Sequence, residues 1–199
     1  MKILLIGASG TVGSAVAEEL GQRHEIVRIG RNSGEEHVDI SDSSSIRTLF
    51  ERIGRFDALI CAAGNVNFVP LGEMTEDDFA LGLQDKLMGQ VNLLLIGREY
   101  ANDGASFTFT TGVLSHDPIR SGASASLVNG ALDAFVRAAA IELPRGLRIN
   151  SVSPTVLVEA MPNYAPYFRG FKPVSASDVA LAYAKSVEGL QTGQTYHIG

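Results

Sequence analysis

Apolar positions along the chain keep switching between two rhythms. Lys2–Ile6 (KILLI) is a short unbroken apolar run ending at Gly7, the pattern of a strand covered on both faces. Val12, Val16 and Leu20 then recur at helical spacing, with Ala15 and Ala17 between them. Glu25–Ile29 reads as the next strand, broken by Gly30-Arg31-Asn32-Ser33-Gly34, and His37–Ile40 as a short one. Asp42 or Ser43 can cap a helix whose Ile46, Leu49, Phe50 and Ile53 follow the i, i+3, i+4, i+7 template. Asp57–Ala62 predicts a buried strand, and residues 75–100 a helical stretch with room for a break. Ser106–Thr110 reads as strand, Ser124–Leu143 as a long helix, Leu147–Val152 as strand, Ala176–Glu188 as helix and Thr195–Ile198 as strand. Strands separated by helices over the whole length predict an α/β fold, a doubly wound parallel sheet of about seven strands with helices on both faces, as a single domain over 1–199. The one long irregular stretch, Thr155–Ser175, holds Tyr164, Tyr167, Phe168 and Phe171 among prolines. A loop of that length in a compact domain reads as a substrate or lid loop.

Composition narrows the partners. The formal charge of −6 disfavours a nucleic-acid backbone binder, which shows a basic footprint. Apolar residues at 45% exclude wholesale disorder. A single cysteine, Cys61, excludes an internal disulfide framework and reads as an inert buried side chain. The histidines at 24, 37, 116 and 197 form no metal-spaced pair, so no metal is expected. No stretch is apolar for long enough to span a membrane, and the opening apolar run is too short for a signal peptide. A soluble cytoplasmic protein acting on a small molecule, with neither nucleic acid nor membrane as partner, is the expectation. Asp133 and Arg137 read as an i, i+4 surface pair.

The 21 glycines, about 11% against a usual ~7%, need a reason. Part of it lies in Gly7-Ala8-Ser9-Gly10-Thr11-Val12-Gly13, between the first strand and the first helix. There Gly7 permits a tight turn, Gly10 lets backbone approach a pyrophosphate, and Gly13 lets helix and strand pack closely. The free N–H groups of the helix start attract the phosphates, and Ser9, Thr11 and Val12 belong to the same cradle. The ribose-reading position after the second strand holds Gly30-Arg31-Asn32-Ser33, with no acid. Arg31 can fork onto a 2′-phosphate with Asn32 or Ser33 beside it, so NADP is expected over NAD.

With these motifs in order, the chain resembles the short-chain dehydrogenase/reductase family, whose fold is a Rossmann domain. IGASGTVG is similar to that family's glycine turn, and Val38-Asp39-Ile40 to its adenine-contacting segment, which carries over Asp39 and Ile40. Cys61-Ala62-Ala63-Gly64 stands where the family has its NNAG segment, implying that Ala62, Ala63 and Gly64 line the adenosine ribose. Arg148-Ile149-Asn150-Ser151-Val152-Ser153-Pro154 resembles its RVNxVxPG segment, implying that Pro154 and Val156 touch the nicotinamide side. Thr192-Gly193-Gln194 looks like the TGQ before the last strand. The resemblance also implies a homodimer, packed through the long helix and the helix before it.

The catalytic signature departs from the family. Its Tyr position falls at Ala125 and its Lys position at Asn129, which can still hydrogen-bond a ribose. Its Ser position falls at Thr110 or Thr111, and its Asn position at Lys86. Two readings follow. In one, the protein is an NADP-dependent oxidoreductase that transfers hydride between nicotinamide and a small carbonyl or alcohol. Thr111 then orients the carbonyl, Lys86 acts as a catalytic group of lowered pKa, and Tyr164, Tyr167 and His116 are weaker candidates. In the other, it binds NADP and turns over little or nothing, as a redox sensor or regulatory protein.

Overall fold

The computed structural model describes all 199 residues. In chain order the elements are β1 (Lys2–Ile6), α1 (Thr11–Gly21), β2 (Glu25–Gly30), β3 (Glu36–His37), α2 (Ser43–Ile53), β4 (Phe56–Cys61) and α3 (Glu76–Leu81). A π-helical turn over Gly82–Met88 leads into α4 (Gly89–Gly97). Then follow β5 (Ala101–Thr110), α5 (Ala123–Ala140), β6 (Arg148–Pro154), α6 (Met161–Tyr164), α7 (Ala176–Glu188) and β7 (Thr195–Ile198). The seven strands form one sheet in the order β3-β2-β1-β4-β5-β6-β7, every pairing parallel. The order reverses between β1 and β4, where an open α/β sheet presents its ligand crevice.

Each face of the sheet is sealed by its own core. On one side Leu4, Ile6, Leu59 and Phe107 meet Ile46, Leu49 and Phe50 of α2, Leu93 and Leu94 of α4, and Leu132 and Val136 of α5. On the other, Ile3, Leu5, Ala58 and Ile60 meet Val16 and Leu20 of α1 and Val179 and Tyr183 of α7. Alternate residues of β1 thus feed opposite cores, which is why KILLI has no polar position inside it. Asp42 caps α2 by accepting from Ser44 N–H, and Ser175 caps α7 by accepting from Asp178 N–H. No helix is long and apolar enough to cross a membrane.

Several expectations need correction. The third strand is Glu36–His37, not His37–Ile40, because Val38 and Ile40 turn inward into the core of the α2 side. The fifth strand starts at Ala101, five residues earlier than its apolar pattern indicates. The loop Thr155–Ser175 is not wholly irregular: Leu157 pairs with Val174 across its base, and α6 lies inside it. Asp133 is no surface partner of Arg137. It is buried, and Oδ1 accepts from Ser151 Oγ at 2.9 Å and from Thr195 Oγ1 at 3.4 Å, tying α5 to β6 and β7.

Removing that acceptor leaves the Ser151 and Thr195 hydroxyls only each other, at 2.9 Å, and unties α5 from both strands. We expect Asp133→Ala to cost about 1–3 kcal/mol in denaturant unfolding, and Arg137→Ala to stay within about 0.5 kcal/mol. Equal effects would mean that the two act as a surface pair.

Candidate functional site

The crevice opens at the carboxyl ends of β1 and β4. Gly7 follows β1 with φ +85°, a left-handed conformation that disfavours side chains, and a Cβ there would lie 2.7 Å from Ala62 O. A Cβ on Gly13 would run into the Gly7 carbonyl, so α1 can cross the end of β1 only with glycine at that point. Gly10 is the N-cap of α1 and makes no side-chain capping bond. A Cβ on Gly10 would meet only Gly7 O, at 3.4 Å, and otherwise project into open space. Backbone donors at an uncapped helix start, facing a space kept free of side chains, fit a pyrophosphate.

The adenosine end is a cavity of about 160 Å³ lined by Gly7, Ser9, Arg31, Val38, Ile40, Ala63, Gly64, Asn65 and Asp85, among others. Ser33 Oγ donates to Ser9 Oγ at 3.1 Å, joining the glycine turn to the loop after β2. Arg31 lines this cavity half-exposed, and it is not a free cation. Nη2 donates to Asp39 Oδ1 at 2.9 Å and to Asp85 Oδ2 at 3.2 Å. These hydrogen bonds, that to Asp39 first, hold the guanidinium pKa above its ordinary value. Asp39 sits below the usual carboxylate range, chiefly because Ser41 Oγ donates to it. Asp39 therefore meets the crevice through Arg31, while its neighbour Ile40 lines the wall. Asn32 does not line the cavity.

Sequence reasoning missed Asp85. Nothing in its spacing separates it from a solvated helix acid, yet it is buried and accepts from Asn65 N–H and Asn65 Nδ2 as well as Arg31. The π-helical turn is the cause. Gly89 N–H reaches back five residues to Gln84 O, and on this widened turn Asp85 lines the crevice while its neighbour Lys86 reaches past Gly64 to the end of β5.

Lys86 is partly buried against Gly64, where φ is +133° and a Cβ would sit 2.7–2.9 Å from the lysine stem. Its Nζ donates to Thr111 O at 3.5 Å. Burial pushes the ammonium pKa down to about 8, against the opposing pull of negative charge such as that of Asp133. Gln90, also unforeseen, fixes the backbone here. Nε2 donates to Lys86 O and to Thr110 O, both at 3.2 Å, and Oε1 accepts from Thr110 N–H at 2.9 Å. The Lys86 backbone is thereby clamped to the end of β5.

Of the two threonines, Thr110 is committed elsewhere: its hydroxyl reaches Cys61 O at 2.6 Å and Tyr183 OH at 2.5 Å. Thr111 lines an apolar cavity of about 230 Å³ with Gly112, Val113, Leu114, Pro154, Val156, Tyr164 and Phe168. Ala125 is buried in a small cluster with Leu114, Val156 and Phe168, so apolar packing surrounds the position aligned with the family's tyrosine. Asn129 is buried beside Gly112, whose Cβ would lie 3.2 Å from Asn129 Nδ2. Its Oδ1 has no hydrogen-bond partner, an orphaned acceptor that fits a ribose hydroxyl. Tyr167 stands one cavity further out, and His116 packs on His197 beside a separate polar cavity, with ring centroids 4.7 Å apart. Cys61 is fully buried, and burial pushes its thiol up to about 12.

A family model described as Enoyl-(Acyl carrier protein) reductase matches residues 10–190. The chain belongs to the short-chain dehydrogenase/reductase family. Among curated proteins it is 28% identical over 192 residues to "Short-chain dehydrogenase/reductase ATR9" of Stachybotrys chlorohalonatus, covering 80% of this chain and 74% of that one. Among solved structures it matches the protein lin1944 from Listeria innocua at 51% identity and TM-score 0.99, over the full length of both chains. A small-chain dehydrogenase in complex with NADPH matches at 25% identity and TM-score 0.88, covering all of this chain and 96% of that one. The family is one of oxidoreductases, and it accounts for the sheet order and the glycine turn seen here.

Lys86 also has a stability signature. Its folded pKa lies below its ordinary value of 10.5, so at neutral pH the charged form is penalised by burial, and the penalty lifts as the unfolded state alone holds the proton. We expect Lys86→Met to be more stable than wild type at pH 7 by about 1–3 kcal/mol. That gap should close as pH rises from about 8 to 10.5. A gap constant with pH in denaturant unfolding would show that the lysine is solvated.

Proposed function

We propose that this protein is an NADP-dependent reductase of small carbonyl compounds in which Lys86 and Thr111 do the work of the missing tyrosine and lysine. The observation that carries this reading is the Lys86 ammonium, of lowered pKa, directed at the end of β5 beside the apolar cavity. NADPH supplies the hydride to the carbonyl carbon. Gly7, Ser9, Gly10, Thr11, Val12 and Gly13 cradle the pyrophosphate. Ile40, Ala62, Ala63 and Gly64 flank the adenosine, with Asp39 acting through Arg31. Arg31 meets the 2′-phosphate with Asn32 and Ser33 beside it, exchanging part of its hold on Asp39 and Asp85 for the new anion. Asn129 Oδ1 accepts from the nicotinamide ribose, while Pro154 and Val156 back the ring. Thr111 orients the carbonyl and Lys86 gives its oxygen a proton as the hydride arrives. The NADPH complex of a related dehydrogenase supports the choice of cofactor. The exposed Met88, Leu95 and Leu127, on and beside α4 and on α5, support a homodimer through that face, which light scattering tests. The chain 1–199 acts as one cofactor-binding domain with 155–175 as its substrate loop, in the cytoplasm.

Fluorescence titration should give tighter binding of NADPH than NADH, with Arg31→Ala erasing the difference; equal affinity in the wild type contradicts the cofactor assignment. Over a carbonyl panel, Lys86→Ala should lower kcat about a hundredfold or more, and Thr111→Ala about tenfold. Because the acid must be protonated, kcat should fall above a pH of about 8. Turnover surviving both substitutions rejects these roles. Tight NADPH binding with no turnover on any carbonyl favours the sensor, a reading that the apolar packing around Ala125 supports.

A further inference from the structure

The cavity that Thr111 lines is walled by aromatic rings. Four rings form a chain, each steeply inclined to the next. Phe68 meets Tyr164 and Tyr164 meets Phe168, both at 6.4 Å between centroids with interplanar angles of 64° and 74°. Phe168 meets Phe171 at 5.2 Å and 74°. The first three rings of this chain face the cavity.

Polarity is confined to one end. Thr111 and Thr155 directly follow β5 and β6 and bring the only aliphatic hydroxyls to the lining, which holds no charged side chain. Leu114, Val156 and Phe168, buried in one cluster, form an apolar floor. Phe68 and Tyr164 also line a second cavity of about 430 Å³, together with Tyr167, so these two rings stand between the two cavities. The second lining holds no charged side chain either. Phe68 is 44% exposed, Tyr164 40% and Tyr167 54%. Three large rings left in water around one opening are the mark of a surface that a ligand covers.

Size and shape then select the ligand. The inner cavity measures about 230 Å³, and a cavity of roughly 150 Å³ with aliphatic and aromatic walls holds one benzene. That leaves space for one ring with its carbonyl and a short arm. An aromatic ring gains against such walls beyond its buried area, because edge-to-face contacts match the quadrupoles of the rings. A carboxylate or ammonium would lose its water to a lining that offers no countercharge. We infer that the substrate is an uncharged aryl aldehyde or aryl ketone, its single ring seated against Phe68, Tyr164 and Phe168 and its carbonyl oxygen at Thr111. Neutral substituents para to the carbonyl run between Phe68 and Tyr164 into the second cavity. The inference rests on the reduction proposed above for its reacting end, whereas the ring pocket rests on the walls alone.

Calorimetric titration tests the pocket without requiring turnover. Phenyl methyl ketone, cyclohexyl methyl ketone and acetoacetate are titrated into the protein with and without saturating NADP⁺. The wild type should bind the phenyl compound about fivefold more tightly than the cyclohexyl one, and acetoacetate more weakly than either. Phe68→Leu and Tyr164→Leu each exchange a ring for an aliphatic side chain at an exposed position, where the fold does not depend on it. Each should bring the two ketones to within about twofold, by weakening the phenyl compound. Equal binding of the two ketones by the wild type, tighter binding of acetoacetate, or a phenyl preference intact in both variants would overturn the inference. A phenyl preference without reduction of any aryl ketone by NADPH would reject the reduction and support the ring pocket. Reduction of carbonyl compounds with no phenyl preference would do the reverse.

Discussion

The rest of the molecule depends on the crossing of α1 over the end of β1. A side chain on Gly13 would strike the Gly7 carbonyl, and one on Gly7 would strike Ala62 O at the end of β4. Two glycines thus let a helix, its own strand and the neighbouring strand converge at the point where the sheet order reverses. Everything that faces a ligand is arranged around this convergence. The uncapped start of α1 lies over it, Ala63 and Gly64 leave β4 beside it, and Gly64 in turn admits the stem of Lys86. Apolar burial on both faces of the sheet holds the convergence rigid, with α2, α4 and α5 on one side and α1 and α7 on the other.

Much of this was legible in the sequence because it rests on local rules. KILLI followed by glycine, helical spacing from Val12, and the cap at Asp42 each register a strand, a helix or a boundary in a few residues. The glycine turn was legible for the same reason, since its steric demand is met within seven positions. What escaped depends on long-range contacts. Asp133 and Arg137 have the spacing of a surface pair, but Asp133 faces Ser151 and Thr195, and only the sheet brings those three together. Arg31 reads as a free cation because its partners Asp39 and Asp85 are eight and fifty-four residues away. The π-helical turn has no spacing signature, so Asp85 and Gln90 passed as ordinary helix residues.

The reacting end departs most from the family and is best understood as a redistribution of charge. Where the family keeps a phenol and an ammonium on the long helix, this chain has the methyl of Ala125 and the neutral amide of Asn129. An ammonium reappears on the facing element, at Lys86, steered inward by the widened turn and clamped by Gln90 to the end of β5. Burial has opposite consequences for the two titratable groups nearby. It keeps the Cys61 thiol protonated and inert, and it brings the Lys86 ammonium down to where it can exchange a proton near neutral pH.

The role proposed for Lys86 is to serve the reacting end of a bound NADPH. A crystal structure of the NADPH complex tests it most directly. The pyrophosphate is expected over Gly10–Gly13, the nicotinamide between Thr111 and Pro154, and the Lys86 ammonium within hydrogen-bond reach of the nicotinamide ribose or of a carbonyl set over the ring. A bound cofactor with Lys86 turned to solvent, or paired only with Asp85, would contradict it.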